Sequence, residues 1–291
     1  MLRATQSIPD AIAQLSAQPL RGALLVGQVR ERYAIDATHD EFDLSLVAPV
    51  YDEFDNLDAL HARVVEALGD DVRWELVLVD DGSRDGSTHK IRALSLRDAR
   101  VVGVFFTHNC GQTAATAAGL ALARGRLVAT LDADLQNDPA DLPAMVARLG
   151  THDAVVGYRE KRQDDFVRRA SARIANAIRN WVSQDTIRDT GCSLKLFRTD
   201  VIRAIPLFEG MHRFLPTLLR YYGFSVIEHP VGHHPRRAGR SKYGISNRAL
   251  RALRDLVAVR WMRGRRLLLP IVEVTGRERA CVSDHASLLR R

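Results

Sequence analysis

Asp132 and Asp134 stand two residues apart in "TLDADLQ", directly after an apolar run. Carboxylates at that spacing, just past a strand, can meet one hard cation through oxygen ligands. Mg2+ or Mn2+ suits such a site, because these ions bridge protein carboxylates to substrate phosphates. Gln136 offers a further carbonyl oxygen or a hold on a water ligand. A second acidic pair, Asp80 and Asp81, lies in "VDDGSRDGST", where Gly82 and Gly86 permit a tight turn and Asp85 or Ser87 can cap the next helix. A carboxylate there can accept from a ribose hydroxyl or a base N–H. An ordinary turn with capping explains the glycines and the serine, but not the paired acids. Cations follow in "RDTGCSLKLFR" (Arg188, Lys195, Arg198) and "HHPRRAGRSKYG" (Arg236, Arg237, Arg240, Lys242). Arginine suits bidentate phosphate contact, and lysine supplies a point charge. His229, His233 and His234 have neither matching cysteines nor an HExxH spacing, so they read as surface histidines rather than zinc ligands. A dinucleotide G-x-G-x-x-G fingerprint and a Walker A lysine loop are both missing, which disfavours a Rossmann dehydrogenase and a P-loop NTPase.

The surrounding pattern says what positions these groups. "LSLVAPV", "WELVLVD", "RVVGVFF", "RLVATL" and "HDAVVGYR" are compact apolar runs of the kind buried in a parallel sheet. Between them lie helical segments: Asn56 to Leu68, with Leu57, Leu60, Val64 and Leu68 on one face; Ser87 to Ser95; the alanine-rich Gln112 to Arg124, small enough to pack closely on a sheet; and Pro139 to Leu149, with proline in its first turn. Such alternation predicts an α/β fold, doubly wound, with a mostly parallel sheet and helices on both faces. Ligands of these sheets sit beyond the carboxyl ends of the strands. Tyr51 and Glu53, Asp80 and Asp81, Asp132 and Asp134, and Arg159 all fall at strand ends, which makes that edge the expected active site. Further on, Val167 to Val182 reads as a helix, "SLKLFRTDVI" as a strand leading into a helix, "RFLPTLLRYYG" as a helix and "FSVIEHPVGHHP" as a strand.

Bulk properties narrow the partners. The chain has 291 residues, 46% of them hydrophobic, ample for a packed core. Three scattered cysteines make neither a disulfide framework nor a zinc site, which fits a reducing compartment. A net charge of +7 suits an anionic partner, whether a phosphorylated substrate, an acidic membrane or nucleic acid. Nucleic acid is the disfavoured member of that set: aromatic residues are 6%, no recognition motif is present, and strand-end acids repel phosphate unless a metal intervenes. No signal peptide is evident, and no apolar stretch of about 18 residues suggests a transmembrane helix. The expected location is therefore cytoplasmic, at the inner face of the cell membrane.

The motifs "VAPVYDEFDNL", "VDDGSRDGST", "NCGQTAATAAGL", "TLDADLQNDPADL", "VVGYREKR", "DTGCSLKLFR" and "RRAGRSKYG" stand in the order found in glycosyltransferase family 2. From Leu44 to about Arg260 the chain most resembles the polyprenyl-phosphate, dolichol-phosphate mannosyltransferase-like branch. The resemblance implies a GT-A fold over residues 44–245, following an N-terminal extension (1–43) and preceding a basic amphipathic segment and polar tail (246–291). It implies that Pro49, Tyr51 and Glu53 line the base and ribose of a nucleotide-sugar donor, with Asp80 or Asp81 on the same moiety. Asp132, Ala133 and Asp134, with Gln136, would meet the donor diphosphate and its Mg2+ or Mn2+. Arg159 would contact phosphates or the sugar, Arg168 the phosphate of a polyprenyl phosphate acceptor, and Arg236 and Lys242 would close over the donor, with Gly239 and Gly244 as hinges. Asp52 stands where the family commonly has asparagine. Many bacterial relatives continue into transmembrane helices, whereas this chain ends in a polar tail.

The chemistry implied is inverting, in-line attack by an acceptor phosphate oxygen on the anomeric carbon. A phosphate monoester is already ionised and needs little help from a general base. A saccharide acceptor for cell-surface polysaccharide would need one, and Asp189 is the candidate. In the C-terminal segment, Leu250, Leu253, Val257 and Trp261 lie at helical spacing among arginines. That stripe can rest in an anionic membrane interface, meet a membrane-protein partner, or pack on the domain itself.

Overall fold

The computed structural model describes residues 42–159, 186–206, 208–235 and 245–265, with side chains of the last segment described from Arg254 onward. Arg168, Arg236 and Lys242, the proposed hinges Gly239 and Gly244, the helix expected over 167–182 and the extension before residue 42 lie outside the described residues.

The strands are β1 (Phe42–Val50), β2 (Trp74–Asp80), β3 (Val101–Phe105), β4 (Gly125–Thr130), β5 (Ala154–Arg159), β6 (Lys195–Arg198) and β7 (Val226–Val231). The helices are α1 (Phe54–Leu68), α2 (Ser87–Arg97), α3 (Gln112–Leu122), α4 (Leu142–Leu149), α5 (Thr199–Ala204), α6 (Leu215–Tyr221) and α7 (Ile245–Arg265), with 3-10 turns at Pro139–Asp141 and Met211–Arg213. One seven-stranded sheet runs β3-β2-β1-β4-β6-β5-β7. It is parallel except at β6, which pairs antiparallel with both β4 and β5.

Strand alternation sorts the core into two layers. Leu44, Leu46, Leu76 and Leu78 point to one face and pack with Leu57, Leu60 and Val64 of α1, Ile91 and Leu94 of α2, and Leu142 and Met145 of α4. Val47, Val77, Val79 and Val128 point to the other, against Ala115 and Leu120 of α3, Val201 and Ile202 of α5, and Leu215 and Leu218 of α6. Each such Val, Leu, Ile or Met side chain, fully removed from water, contributes about 1.5–3 kcal/mol before the entropy of ordering it is charged. The small residues of α3 do what their size predicts. A Cβ on Gly119 would stand 2.2 Å from Cγ1 of Val47, so the helix backbone lies directly on β1.

The amphipathic C-terminal helix exists, but its docked face differs from the predicted stripe. Leu256 and Val259 are buried in the second core layer, whereas Val257 and Trp261 are 58% and 63% exposed. The side chains of Leu250 and Leu253 lie outside the described residues. A helix turns about 100° per residue, so Leu256 and Val259 share one face while Val257 and Trp261 lie roughly a quarter-turn or more away. No helix among the described residues is long and apolar enough to cross a membrane.

Candidate active site

The carboxyl ends of β1 and β2 are laced into one platform. Asp81 donates its backbone N–H to the Val50 carbonyl at 2.8 Å. Asp52, at φ 51, donates its N–H to the Ser83 hydroxyl (2.9 Å) and accepts the Arg84 N–H on its carboxylate (2.7 Å). Glu53 accepts from the Asn56 side chain at 2.6 Å and donates its N–H to the Ser87 hydroxyl at 3.0 Å. Asp85 accepts from both the N–H and the hydroxyl of Ser87, starting α2. Pro49, Tyr51 and Glu53 are half-buried beside this platform, on the edge where sequence placed them.

Asp80 and Asp81 are both buried but have separate tasks. Asp80 accepts the Ser83 N–H at 2.9 Å and the Thr88 hydroxyl, closing its own turn. Asp81 reaches across to the loop before α3, accepting from Cys110 N (2.6 Å), Gly111 N (2.9 Å) and the Asn109 side chain (3.0 Å). Burial pushes the Asp81 carboxyl above its ordinary range; the two backbone N–H groups oppose that, and neighbouring Asp80 adds to it. Gly82 makes the approach possible, since a Cβ there would stand 2.6 Å from the His108 carbonyl carbon. The Asn109–Gly111 loop is therefore part of this site; its motif helped to carry the family resemblance, but sequence reasoning gave the loop no role. Its signal was the glycine preceding the small-residue helix.

Asp132 and Asp134 follow β4. Asp132 accepts from the Gln112 side chain in the first turn of α3 at 2.9 Å, and its N–H reaches the Ser193 hydroxyl at 3.3 Å. Asp134 is buried and accepts the Gln136 N–H at 3.1 Å. Ala133 is buried between them. The Gln136 carbonyl takes the His234 N–H at 2.9 Å, and the His234 ring lies 3.1 Å from Asp138. His234 thus fastens the segment after β7 to the acidic motif, a task its reading as a plain surface histidine did not include. Among the described residues no three His, Cys, Asp or Glu side chains converge to hold a metal by themselves. Mg2+ or Mn2+ does not need such a trio when substrate phosphates and water fill the remaining positions. An all-oxygen pair at a strand end, backed by a glutamine, fits that kind of ion.

Arg159 ends β5 and grips Asp189 with two parallel bonds, Nε to Oδ2 at 2.7 Å and Nη2 to Oδ1 at 2.9 Å. The pair is half-buried and fixes the plane of the guanidinium. Lys195, also missed as a buried group, donates to the Cys192 carbonyl. Burial pushes its ammonium below the ordinary lysine range, while Cys192, Asp132 and Asp189 favour the charged form and Arg159 opposes it. The structure therefore gathers Pro49, Tyr51, Glu53, Asp80, Asp81, Asp132, Ala133, Asp134, Gln136 and Arg159 along one edge of the sheet.

Such an edge, with acids on three neighbouring strand ends and a clamped arginine on a fourth, defines an α/β protein whose charged groups gather at the strand ends, the place where sheets of this class take their ligands. Residues 45–205 match the family Glycosyl transferase family 2, and the chain belongs to it. It is 41% identical to dodecaprenyl-phosphate galacturonate synthase of Rhizobium johnstonii over 75% of this chain and 66% of that protein. It is 38% identical to undecaprenyl-phosphate 4-deoxy-4-formamido-L-arabinose transferase of Aeromonas hydrophila subsp. hydrophila, over 74% and 66%. The chain thus spans 66% of the length of these relatives. Among solved structures, a mannosyltransferase of Pyrobaculum calidifontis with GDP-Man and Mn2+ is 18% identical and superposes with a TM-score of 0.55 over 89% of this chain and 71% of that one. Glucosyl-3-phosphoglycerate synthase of Mycobacterium tuberculosis with Mn2+ and UDP-Glc is 16% identical, with a TM-score of 0.56 over 84% of each. The fold is GT-A, as the motif order implied.

Proposed function

We propose that this chain is an inverting glycosyltransferase that moves a sugar from a nucleotide-sugar donor, GDP-mannose or a UDP-hexose, to a polyprenyl phosphate at the cytoplasmic face of the membrane. The observation that carries the acceptor is the Arg159–Asp189 clamp. Both oxygens of Asp189 already accept N–H bonds from one guanidinium, so the acid put forward as a general base is committed elsewhere. An acceptor that arrives ionised needs no such base, and the relatives are named for polyprenyl phosphates.

In this reading Asp132 and Asp134, with Gln136, hold Mg2+ or Mn2+ on the donor diphosphate. When bound, that ion stabilises the charge of the departing diphosphate. Pro49, Tyr51 and Glu53 line the nucleoside, with the Asp81-anchored loop beneath it. Arg159, its plane set by Asp189, faces phosphate or sugar. Arg168, Arg236 and Lys242 complete the reading from sequence alone.

The test is transfer from a panel of UDP- and GDP-sugars to a polyprenyl phosphate, with and without Mn2+, for the native chain and Asp134→Ala. Metal-dependent transfer with inverted anomeric configuration, reduced at least about 100-fold in the variant, is expected, since losing one main electrostatic contribution costs about that much. Donor binding without transfer would reject the acceptor. A retained anomeric configuration would reject in-line attack.

A further inference from the structure

The turn that carries Asp134 is strained. Leu135 adopts φ 61, a left-handed conformation unusual for a branched side chain. That side chain is buried in the first core layer, so the turn cannot relax by releasing it to solvent. Strain of this kind persists when the surroundings over-determine it, and it concentrates at functional sites.

One residue spans the loop. The Ser193 hydroxyl accepts the Asp132 N–H at 3.3 Å and donates to Asn137 Oδ1 at 2.6 Å, so it touches both ends of 132–137. Asn137 is itself buried. Ser193 is fixed in turn, because its carbonyl accepts the Thr130 hydroxyl at 2.8 Å and the adjacent Cys192 carbonyl accepts the Lys195 ammonium. The hydroxyl thus joins the end of β4 to the loop from a segment sixty-one residues away from Asp132 in sequence.

We infer that Ser193 is a positioning residue: it clasps the strained Leu135 turn in the conformation that presents Asp134 and Gln136 to the metal. This rests on the metal reading proposed above for those residues. The bland alternative is that the hydroxyl satisfies two buried polar groups and stabilises the fold without bearing on the ion.

Calorimetric titration of Mn2+ into the full chain, with UDP and in a second series GDP, separates the two, alongside thermal midpoints in metal-free buffer. Ser193→Ala weakens Mn2+ binding about tenfold, the lower end of what loss of an outer partner costs a metal site. Ser193→Thr, which keeps the hydroxyl, holds the native affinity. If the hydroxyl serves the fold alone, Ser193→Ala lowers the metal-free midpoint and leaves Mn2+ affinity unchanged. Native Mn2+ affinity in Ser193→Ala, or a tenfold loss that Ser193→Thr shares, overturns the inference. Absence of Mn2+ uptake by the native chain with either nucleotide overturns the metal reading itself and the inference with it.

Discussion

Asp52 separates conformation from charge at a single position. Its φ of 51 is a region where Asp and Asn are enriched and other branched residues are penalised, and its carboxylate accepts the Arg84 N–H at 2.7 Å. Asparagine can do both, through its own side-chain oxygen. Asp52→Asn is therefore expected to change unfolding free energy by less than about 0.5 kcal/mol. Asp52→Ala, which keeps the strain and loses the bond, should cost about 1–3 kcal/mol. Urea denaturation of the two variants checks this, and equal losses would show that the backbone geometry is not what selects the residue. Residue types at the site were legible in sequence because chemistry restricts them: paired acids after a strand have few structural excuses. Their partners were not legible. Asp81 finds its donors twenty-eight to thirty positions away, and Arg159 finds Asp189 thirty positions away, so no local pattern announces either contact.

At the scale of elements, compact apolar runs and helical spacing carried the strands and helices through β5, because buried strands and one-faced helices leave strong signals. The antiparallel insertion of β6 between β4 and β5 left none. "KLFR" is short, and its central residues are buried on both faces. Helix α7 shows the other limit. Two apolar pairs compete on one helix, and tertiary packing chose Leu256 and Val259. Arg263 lies 5.4 Å from the Tyr221 ring on the docked side, while Arg265 lies 5.8 Å from the exposed Trp261 ring. An outward face with Trp261, Val257, Arg254 and Arg265 has the composition of an interfacial helix. Arginines near an anionic bilayer contribute about 1 kcal/mol each, so replacing Arg254 and Arg265 by Glu should lower co-sedimentation with anionic vesicles at least tenfold. Trp261→Ala should lower it on neutral vesicles as well. Unchanged sedimentation in both would assign that face to solvent or to a protein partner.

The whole molecule carries a net charge of +7 and pins its sheet with carboxylates held by arginines. Asp43, at the start of β1, pairs with Arg73 and Arg126, which brings its pKa down to about 2. Asp98, before β3, is held well below the usual carboxylate range, first by the Arg100 guanidinium and then by its backbone N–H and His61. The Lys90 ammonium lowers Asp58 in the same way. A depressed folded pKa stabilises the fold fully above the unfolded value of about 3.9, and that contribution is lost as pH falls through the folded value. Asp81 runs the opposite way. Its raised pKa lets the folded state take up a proton first, which offsets part of the loss as acid is added. Thermal midpoints should therefore stay nearly level from pH 7 to 5 and fall steeply from about pH 4 toward 2. Asp98→Asn should lower the midpoint at pH 7 and flatten the acid limb, so that the gap between the two curves narrows as pH falls from 4 toward 2. Parallel curves, offset equally at pH 7 and pH 3, would show that Asp98 matters for its hydrogen-bonding shape and not for its charge.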